Sequence, residues 1–359
     1  MKKILALLLA LSLVLALCAC GSAAETPAAS AASAAEGAAS AAEAAPAEDA
    51  APAEDAAPAA AADLDRNGDG KITIGYSTIA YAIAPLTQIL CDNLKELTEA
   101  EGWEFSYLAA EGDAVLQGQQ VQTLIDQNPD YLVMFPADAD LAVDWVQAAN
   151  EAGVTVLLVG TDVAEDGRQY ASAFCGPNNY EMGVELAQAL IDANGADAAL
   201  NIVEIGGNAG QADYIDRKAG FEETIKANSN YQFLGDTAWC HSSRTDAQDS
   251  MADFISTYGD QINVLYGMDD DLTLGGVNAI AEAGKTDAIQ VYSITGQIEA
   301  IQAIKDGKMV TTAYTPTRQT ASLVIDTIKA MTAGAVDYQQ SYIPELITKD
   351  NADNYQGEF

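Results

Sequence analysis

From residue 71 onward, short apolar runs alternate with amphipathic stretches, and this alternation constrains the fold more than any other feature of the chain. The apolar runs have the length of buried strands, and the stretches between them repeat apolar residues at helical spacing. Repeated strand–helix–strand order is typical of a doubly wound parallel α/β sheet. With 359 residues and 49% hydrophobic content, the chain is long enough for two such sheets.

The pattern also places individual elements along the chain. It predicts helices over 86–100, 181–193, 219–227 and 321–331. It predicts strands over 72–77, 103–109, 131–135, 154–159, 170–174, 200–205, 232–236, 264–266, 289–294 and 310–314.

The clearest single unit covers 263–294, where a strand, an acidic turn, a helix and a second strand follow one another. Asp269, Asp270 and Asp271 come directly after the apolar run 264–266, and Gly284 ends the helix that follows them. One aspartate at this place serves as a helix cap, where negative charge is favourable. A cap needs only one carboxylate, so the others are candidates for ligand contacts at the strand's carboxyl end.

The N-terminus has the organisation of an export signal. Lys2 and Lys3 precede an apolar run over 4–17, and Leu-Cys-Ala-Cys-Gly follows at 17–21. The latter motif resembles the bacterial lipobox, with Cys20 after the small Ala19 as the lipidated residue and new N-terminus. Cys18 follows the bulky Leu17 and fits the motif poorly. We therefore expect a lipoprotein signal peptide over 1–19 and an extracytoplasmic protein held at the cell membrane by its lipid alone.

Residues 20–62 consist mainly of Ala, Glu, Pro and Ser, a composition that predicts a disordered acidic tether. Acidic residues outnumber basic ones 53 to 16 over the whole chain, and the net charge is -37. Such a balance argues against nucleic acid or an anionic membrane surface as a partner, because both repel negative charge.

One segment raises the question of a metal ion. Asp65, Asn67 and Asp69 match the first half of a calcium loop, but the position of its bidentate glutamate holds Tyr76. The sequence favours a plain turn before a strand, with calcium as the open alternative, and we expect no metal and no cofactor. Three scattered cysteines remain after the signal, without metal-ligand spacing, and we interpret them as free buried thiols: Cys91, Cys175 and Cys240.

Five motifs in order give the chain a family resemblance. The most specific are Met-Asp-Asp-Asp-Leu-Thr-Leu-Gly-Gly at 268–276 with Ala-Glu-Ala-Gly-Lys at 281–285, and Ile-Lys-Asp-Gly-Lys-Met at 304–309. The others are Asn-Asn-Tyr-Glu-Met-Gly at 178–183, Glu-Ile-Gly-Gly at 204–207 and Arg-Lys-Ala-Gly-Phe at 217–221. From about residue 71 to the end, the chain resembles the type 1 periplasmic sugar-binding proteins, the ribose- and galactose-binding group of ABC transporter receptors.

The resemblance implies two Rossmann-like lobes joined by three hinge strands, with the ligand between them. The N-terminal lobe would comprise 71–176 plus 315–342, and the C-terminal lobe 177–314 plus 343–359. It also implies a monomer that binds a small sugar or polyol and delivers it to an ABC permease in the membrane. A receptor that passes a sugar or autoinducer signal to a sensor or chemotaxis system remains the alternative.

In the N-terminal lobe, the resemblance points to residues just after strand ends. Ser77, Thr78 and Tyr81 follow the first strand, where relatives carry an Asn and aromatic residues, and Tyr81 either stacks on ligand or packs on the first helix. Phe135 stands where an Asn is common. Either Gly160 or Asp162 lies opposite the family's ligand-binding Asp, and we favour Asp162 because a carboxylate can accept two hydroxyl groups.

In the second lobe, Asp269 matches the family's ligand-binding Asn or Asp. The family's arginine falls on Ile215, and the nearest arginine is Arg217. Trp239 is either a stacking ring or a core residue. Two further candidates differ from the family's residues, and they imply a ligand other than ribose: Thr295 in place of Asp, and Tyr314 in place of Gln.

Two other functions of chains with this organisation are disfavoured. An enzyme would need a phosphate loop, a metal set or a nucleophile with its base, and the only histidine, His241, lies beside no serine elbow. A transcription regulator would need a basic helix-turn-helix at the N-terminus, where this chain has a lipobox and an acidic tether.

The lipobox gives a first testable prediction. In a bacterial host, Cys20→Ala should release the protein from the membrane fraction into the periplasm or medium, because stable anchoring depends on the acyl chains of that cysteine. Cys18→Ala is the matched control and should stay with membranes. Quantitative membrane fractionation of Cys20→Ala would contradict the lipoprotein interpretation.

Overall fold

The structure, a computed structural model, describes residues 64–359. The expected signal peptide, Cys20 and the tether lie outside these residues. The strands are β1 (Thr73–Thr78), β2 (Glu104–Ala109), β3 (Tyr131–Phe135), β4 (Thr155–Val159), β5 (Ala173–Pro177), β6 (Leu200–Gly206), β7 (Tyr231–Phe233), β8 (Ala238–Trp239), β9 (Val264–Gly267), β10 (Gln290–Thr295), β11 (Thr311–Tyr314), β12 (Gln339–Tyr342) and β13 (Leu346–Thr348).

The helices alternate with these strands. They are α1 (Pro85–Ala100), α2 (Ala114–Ile125), α3 (Leu141–Glu151), α4 (Asn179–Asn194), α5 (Ala212–Lys226), α6 (Arg244–Tyr258), α7 (Asp270–Glu282), α8 (Ile298–Lys305) and α9 (Thr317–Ala330). Short 3-10 helices cover Glu165–Tyr170, Gly259–Gln261, Met331–Ala333 and Ala352–Asn354.

Two sheets organise the described residues. The first has the order β12-β5-β4-β3-β1-β2, and its neighbouring strands are all parallel. The second has the order β13-β11-β10-β9-β6-β7, with β8 beside β6, and within it the β11–β13 pair is antiparallel. The predicted α/β class with two doubly wound sheets is therefore confirmed. Below, lobe 1 is the first sheet with α1, α2, α3 and α9, and lobe 2 is the second sheet with α4 to α8.

The chain passes between the two sheets in three places. It leaves β5 at Pro177 and enters α4, returns from β11 into α9, and leaves β12 again for β13. The lobes also touch directly, because Ala139 N donates to Gly210 O at 3.2 Å and Asp213 N donates to Thr161 Oγ1 at 3.1 Å. These contacts bring the carboxyl ends of both sets of strands together.

Apolar residues on both faces of each sheet form the cores. Every residue of β3 is buried, which explains its unbroken apolar sequence, since parallel strands are covered on both faces. In lobe 1 the layer under α1 and α9 includes Leu94 and Val324, and the layer under α2 and α3 includes Val121 and Val146. Lobe 2 has one continuous core.

Some predicted element boundaries are wrong. The strand predicted over 170–174 begins later, at Ala173, because Glu165–Tyr170 form a 3-10 helix. The helix predicted over 219–227 begins earlier, at Ala212, where polar residues hide its start. The strand predicted over 232–236 lies at Tyr231–Phe233.

In the turn before β1, acidic side chains accept hydrogen bonds from backbone amides of the same turn. The Asp65 carboxylate accepts hydrogen bonds from the amides of Gly68, Asp69 and Gly70, in the manner of an Asx turn. Between residues 64 and 359, no group of three or more His, Cys, Asp or Glu side chains has an arrangement that could hold a metal ion.

Two further sequence interpretations concern described residues. Cys91, Cys175 and Cys240 are free and buried, as the sequence indicates, and burial raises the pKa of each thiol. No helix in the described part of the chain is long and apolar enough to cross a bilayer.

Helices α4 and α5 approach each other at two glycines. A Cβ on Gly220 would lie 2.0 Å from Tyr180 O, and one on Gly183 would lie 2.2 Å from Arg217 O. Neither backbone oxygen can move away alone, so the close approach depends on the missing side chains. This contact positions α5, whose N-terminal half carries several polar side chains.

The helix contact gives a stability prediction. Alanine normally stabilises a helix interior by about 1 kcal/mol relative to glycine. We nevertheless expect Gly220→Ala to lower the free energy of unfolding by about 1–3 kcal/mol, because its methyl group overpacks the contact.

Urea denaturation measures this effect. Glu185→Ala, on the exposed side of α4, is the control and should stay within about 0.5 kcal/mol of wild type. Equal or greater stability of Gly220→Ala would show that the helices can separate freely.

Candidate functional site

A cleft of about 940 Å³ lies between the lobes at the carboxyl ends of their strands. Residues after β1, β3 and β4 line one wall, and residues after β6, β9 and β10 line the other. In doubly wound sheets this edge is the usual place for ligands, because loops and helix N-termini converge there.

The structure brings together four of the residues that the sequence singles out. The cleft is lined by Phe135, Arg217, Asp269 and Thr295. The other predicted site residues lie away from its lining: Ser77, Thr78, Tyr81, Asp162, Trp239 and Tyr314.

The residues after the first strand are engaged within lobe 1. The Ser77 hydroxyl accepts a hydrogen bond from Gln117 Nε2, and the Thr78 hydroxyl donates to Ala80 O. The Tyr81 hydroxyl donates to Asp92, and its ring packs against Tyr107 at 5.1 Å between centroids. These contacts correct the expected placement, because each polar group turns into the protein or towards the outer face.

Asp162 also departs from its expected place. Its Oδ1 accepts hydrogen bonds from Val163 N and the Tyr338 hydroxyl, and its Oδ2 pairs with Arg168 Nε at 3.0 Å. It faces a smaller hollow of about 350 Å³, which Asp216 also lines. Burial raises the pKa of the Asp162 carboxyl, and Tyr338 and Arg168 oppose that shift. The carboxylate is therefore satisfied outside the cleft.

The two aromatic candidates of lobe 2 pack within that lobe. A Cβ on Gly206 would lie 2.7 Å from the Trp239 ring, so the ring covers the backbone of β6. Tyr314 packs edge-on against Tyr355 at 5.2 Å between centroids and covers Gly296. Of the two interpretations left open for Trp239, packing on the core describes its observed place.

Arg217 connects several elements at the base of the cleft. Its Nε donates to Asn179 Oδ1 at 3.0 Å, and its Nη1 donates to Met268 O at 2.9 Å. The same Nη1 lies 3.5 Å from Asp213 Oδ2, and the guanidinium sits over the Tyr214 ring. With 6% exposure, the side chain is held in one orientation by these contacts.

Asp269 caps α7 and borders the cleft. Its Oδ1 accepts a hydrogen bond from Asp271 N at 2.8 Å, as the sequence predicts for one of the three aspartates. Burial and the neighbouring Asp270 raise the pKa of the Asp269 carboxyl to about 7, and Arg217 opposes the shift. Near neutral pH this group is therefore present in both protonation states, and it can accept or donate a hydrogen bond.

Asp270 is a structural member of the acidic turn. Its Oδ2 accepts the amides of Gly296 and Gln297 at 2.7 and 2.8 Å, and its Oδ1 accepts the Thr312 hydroxyl at 2.8 Å. These bonds hold the end of β10, where Thr295 adopts a φ of 122°, a strained value for a β-branched residue. The buried carboxylate thus stabilises the strained residue at the cleft.

Two polar atoms at the cleft have no protein partner. Among the described residues, Thr295 Oγ1 and Asp213 Oδ1 are buried without a hydrogen bond, although buried polar atoms are nearly always paired. Both residues line the cleft, on lobe 2. A bound molecule with hydroxyl groups would satisfy them.

Sequence reasoning missed Asp213 and its neighbours Gln211 and Tyr214, which also line the cleft. A signal was present, because these residues follow β6 as Asp269 follows β9. The late predicted start of α5 concealed it.

The amino-acid sequence was compared with known families and proteins. Residues 72–335 match the model of the family described as periplasmic binding protein domain. A xylitol-binding protein of Mycolicibacterium smegmatis is 27% identical over 296 residues, which cover 82% of this chain and 81% of that protein. A ribose import binding protein of Salmonella typhimurium is 24% identical, over 66% of this chain and 78% of that protein.

A solved structure extends the comparison. The solute-binding protein of an ABC transporter from Mycobacterium smegmatis, crystallised with bound glycerol, is similar with a TM-score of 0.72 and 30% identity. The match covers 81% of this chain and 98% of that one.

The raised pKa of Asp269 gives a prediction on stability. A carboxyl whose pKa is higher folded than unfolded stabilises the fold below about pH 4, and that contribution is lost as pH rises to about 7. The wild-type free energy of unfolding should therefore fall between pH 4 and 8 by about 1–3 kcal/mol more than that of Asp269→Asn.

Urea titrations at several pH values would measure the difference. Asp253→Asn, on the exposed face of α6, is the control and should follow the wild-type curve. If Asp269→Asn has the same pH dependence as wild type, the carboxyl does not titrate as proposed.

Proposed function

Because this chain belongs to the periplasmic binding protein family, we propose that it binds a small sugar or polyol between its lobes and delivers it to an ABC permease. The observation that carries the proposal is the set of polar groups on lobe 2, where Asp213 Oδ1 and Thr295 Oγ1 are buried without partners beside Arg217 and Asp269. Relatives that bind xylitol and ribose support the same ligand class.

Hydroxyl groups suit this arrangement because each one can donate and accept. A ligand hydroxyl would donate to Asp213 Oδ1, and another would donate to or accept from Thr295. Arg217 uses Nε and Nη1 on protein atoms, and its Nη2 is the remaining donor for a ligand oxygen. Asp269 completes the set from the N-terminus of α7.

Charge favours a neutral ligand over an anionic one. Arg217 is balanced by Asp213 and faces Asp269 as well. Arg244, which also lines the cleft, pairs with Asp271 and Glu299 at 2.7 and 2.6 Å. Both cations are thus compensated, and a ligand anion would meet an excess of carboxylates.

The two lobes would close on the ligand from opposite sides. We infer that 71–176 with 315–342, and 177–314 with 343–359, move as units about the three crossings, and that ligand contacts on both favour the closed form. Phe135 would supply an apolar contact from lobe 1. The closed form would be presented to the permease by a monomer anchored to the membrane through a lipid on Cys20.

Calorimetric titration with free pentoses, hexoses and polyols tests the proposal. For whichever compound binds, Asp269→Asn should weaken binding about tenfold or more, because it replaces a charge-assisted bond worth about 1.5–3 kcal/mol. Asp162→Asn is the matched control, a buried carboxyl outside the cleft, and should change affinity less than about threefold.

Two results would count against the proposal. Equal affinity of Asp269→Asn and wild type would remove that residue from the site. Tighter binding of the phosphate ester than of the parent sugar would overturn the neutral ligand class.

A further inference from the structure

The two walls of the cleft differ in chemistry. Within the described chain, the residues that lobe 1 contributes to the lining carry no charge. Most are apolar, and they come from the loop after β1, the first turns of α1 and the end of β3: Ile79, Ile83, Leu86, Leu90 and Phe135. Ile83 is 66% exposed, so the wall ends in an apolar side chain that the protein itself leaves uncovered.

The hydroxyl groups of this wall are already used. Thr87 donates to Ala84 O, and Thr317 donates to Glu358 Oε2 at 2.5 Å. The Thr320 hydroxyl is bonded to the Tyr342 hydroxyl at 2.9 Å. At the second crossing, Thr315 donates to Thr295 O at 3.3 Å. The hydroxyl protons of Thr87, Thr315 and Thr317 are therefore used within the protein.

The contact between Phe135 and Gly160 contributes to the apolar character of the lobe 1 wall. They occupy neighbouring strand ends of lobe 1, and a Cβ on Gly160 would lie 2.7 Å from Phe135 Cε1. Gly160 has a φ of 75°, which also disfavours a side chain. The ring therefore covers a position that cannot carry a polar group.

Lobe 2 presents the opposite wall, with the unpaired atoms of Asp213 and Thr295 beside Arg217 and Asp269. A fully hydroxylated monosaccharide would satisfy this wall and press its other hydroxyls against the apolar one. Hydroxyls buried against its apolar side chains would lose their bonds to water, and only the oxygens of a few threonines could accept from them. The cavity of about 940 Å³ lies near the upper end of the range for drug-sized ligands, about 300–1,000 Å³.

We propose that the ligand of this cleft is amphipathic, a sugar or polyol whose hydroxylated part lies on lobe 2 and whose apolar substituent lies against lobe 1. The substituent belongs to the class of alkyl or aryl groups carried by a glycoside. This inference rests on the proposed function, and it narrows the substrate class of the same cleft.

Matched pairs of compounds test the inference. Each free pentose and hexose is titrated beside its methyl and phenyl glycosides, in both anomeric forms. In the pairs that bind, we expect at least one phenyl glycoside to bind tenfold tighter or more than its free sugar, with the methyl glycoside between them. The phenyl group and the lobe 1 wall would cover apolar surface on each other, and removing this surface from water strengthens binding.

The outcomes separate the two proposals. Free sugars that bind as tightly as all their glycosides, or more tightly, would overturn the amphipathic ligand and leave sugar binding intact. Failure of every free sugar, polyol and glycoside to bind would overturn the proposed function itself.

Variants of two exposed residues test whether the apolar substituent lies on lobe 1. Ile83→Ser should weaken phenyl glycoside binding about threefold to tenfold, and more than it weakens free sugar binding, because it shortens the apolar wall. Val115→Ser is the matched control, since Val115 is 69% exposed and outside the lining, and it should change neither affinity. Equal effects of both variants on the glycoside would contradict the placement of the substituent.

Discussion

The bonds of Arg217 hold the parts of the cleft in register. The guanidinium joins α5 to the end of β9 through Met268 O, and to the start of α4 through Asn179. Asn179 in turn donates to Gly160 O at 3.1 Å, so the same chain of bonds reaches the fourth strand end of lobe 1. A buried cation must find such partners to offset its lost hydration. The need to satisfy one charge thus brings a crossing, a strand end and a helix to fixed positions.

Around that anchor, the two lobes differ in the chemistry that they present to the cleft. At the cleft, lobe 2 has buried polar atoms without a hydrogen bond. One belongs to the strained Thr295, which is followed by two amides that donate to the buried Asp270 carboxylate. Among the described residues, the wall of lobe 1 carries no charged side chain, and its threonine hydroxyls bond to protein atoms beside apolar side chains such as Phe135. Polarity alone would then orient a ligand. Only one orientation places its polar groups on lobe 2 and its apolar groups on lobe 1.

Much of the fold was predictable from the sequence, and less of the site. Alternating apolar patterns predict the two sheets because burial on both faces of a parallel strand leaves a strong local signal. Asp269 was predictable for the same reason, since it follows a clear strand. Asp162 was not, because its partner Tyr338 lies just before β12, far along the chain. The orientation of a side chain depends on such distant partners, which a local pattern does not contain.

The three crossings have a consequence for biogenesis. Lobe 1 takes α9 and β12 from near the end of the described chain, and α9 residues such as Val324 and Ile328 complete the core layer that contains Leu94. A ribosome that has synthesised residues up to Pro177 has therefore made most of lobe 1 without α9, one of the two helices that cover one face of its sheet. Contacts so distant in sequence form slowly. The topology itself delays completion of lobe 1 until nearly all of the polypeptide has emerged, so the lobe that begins first in the sequence is not the first to be completed.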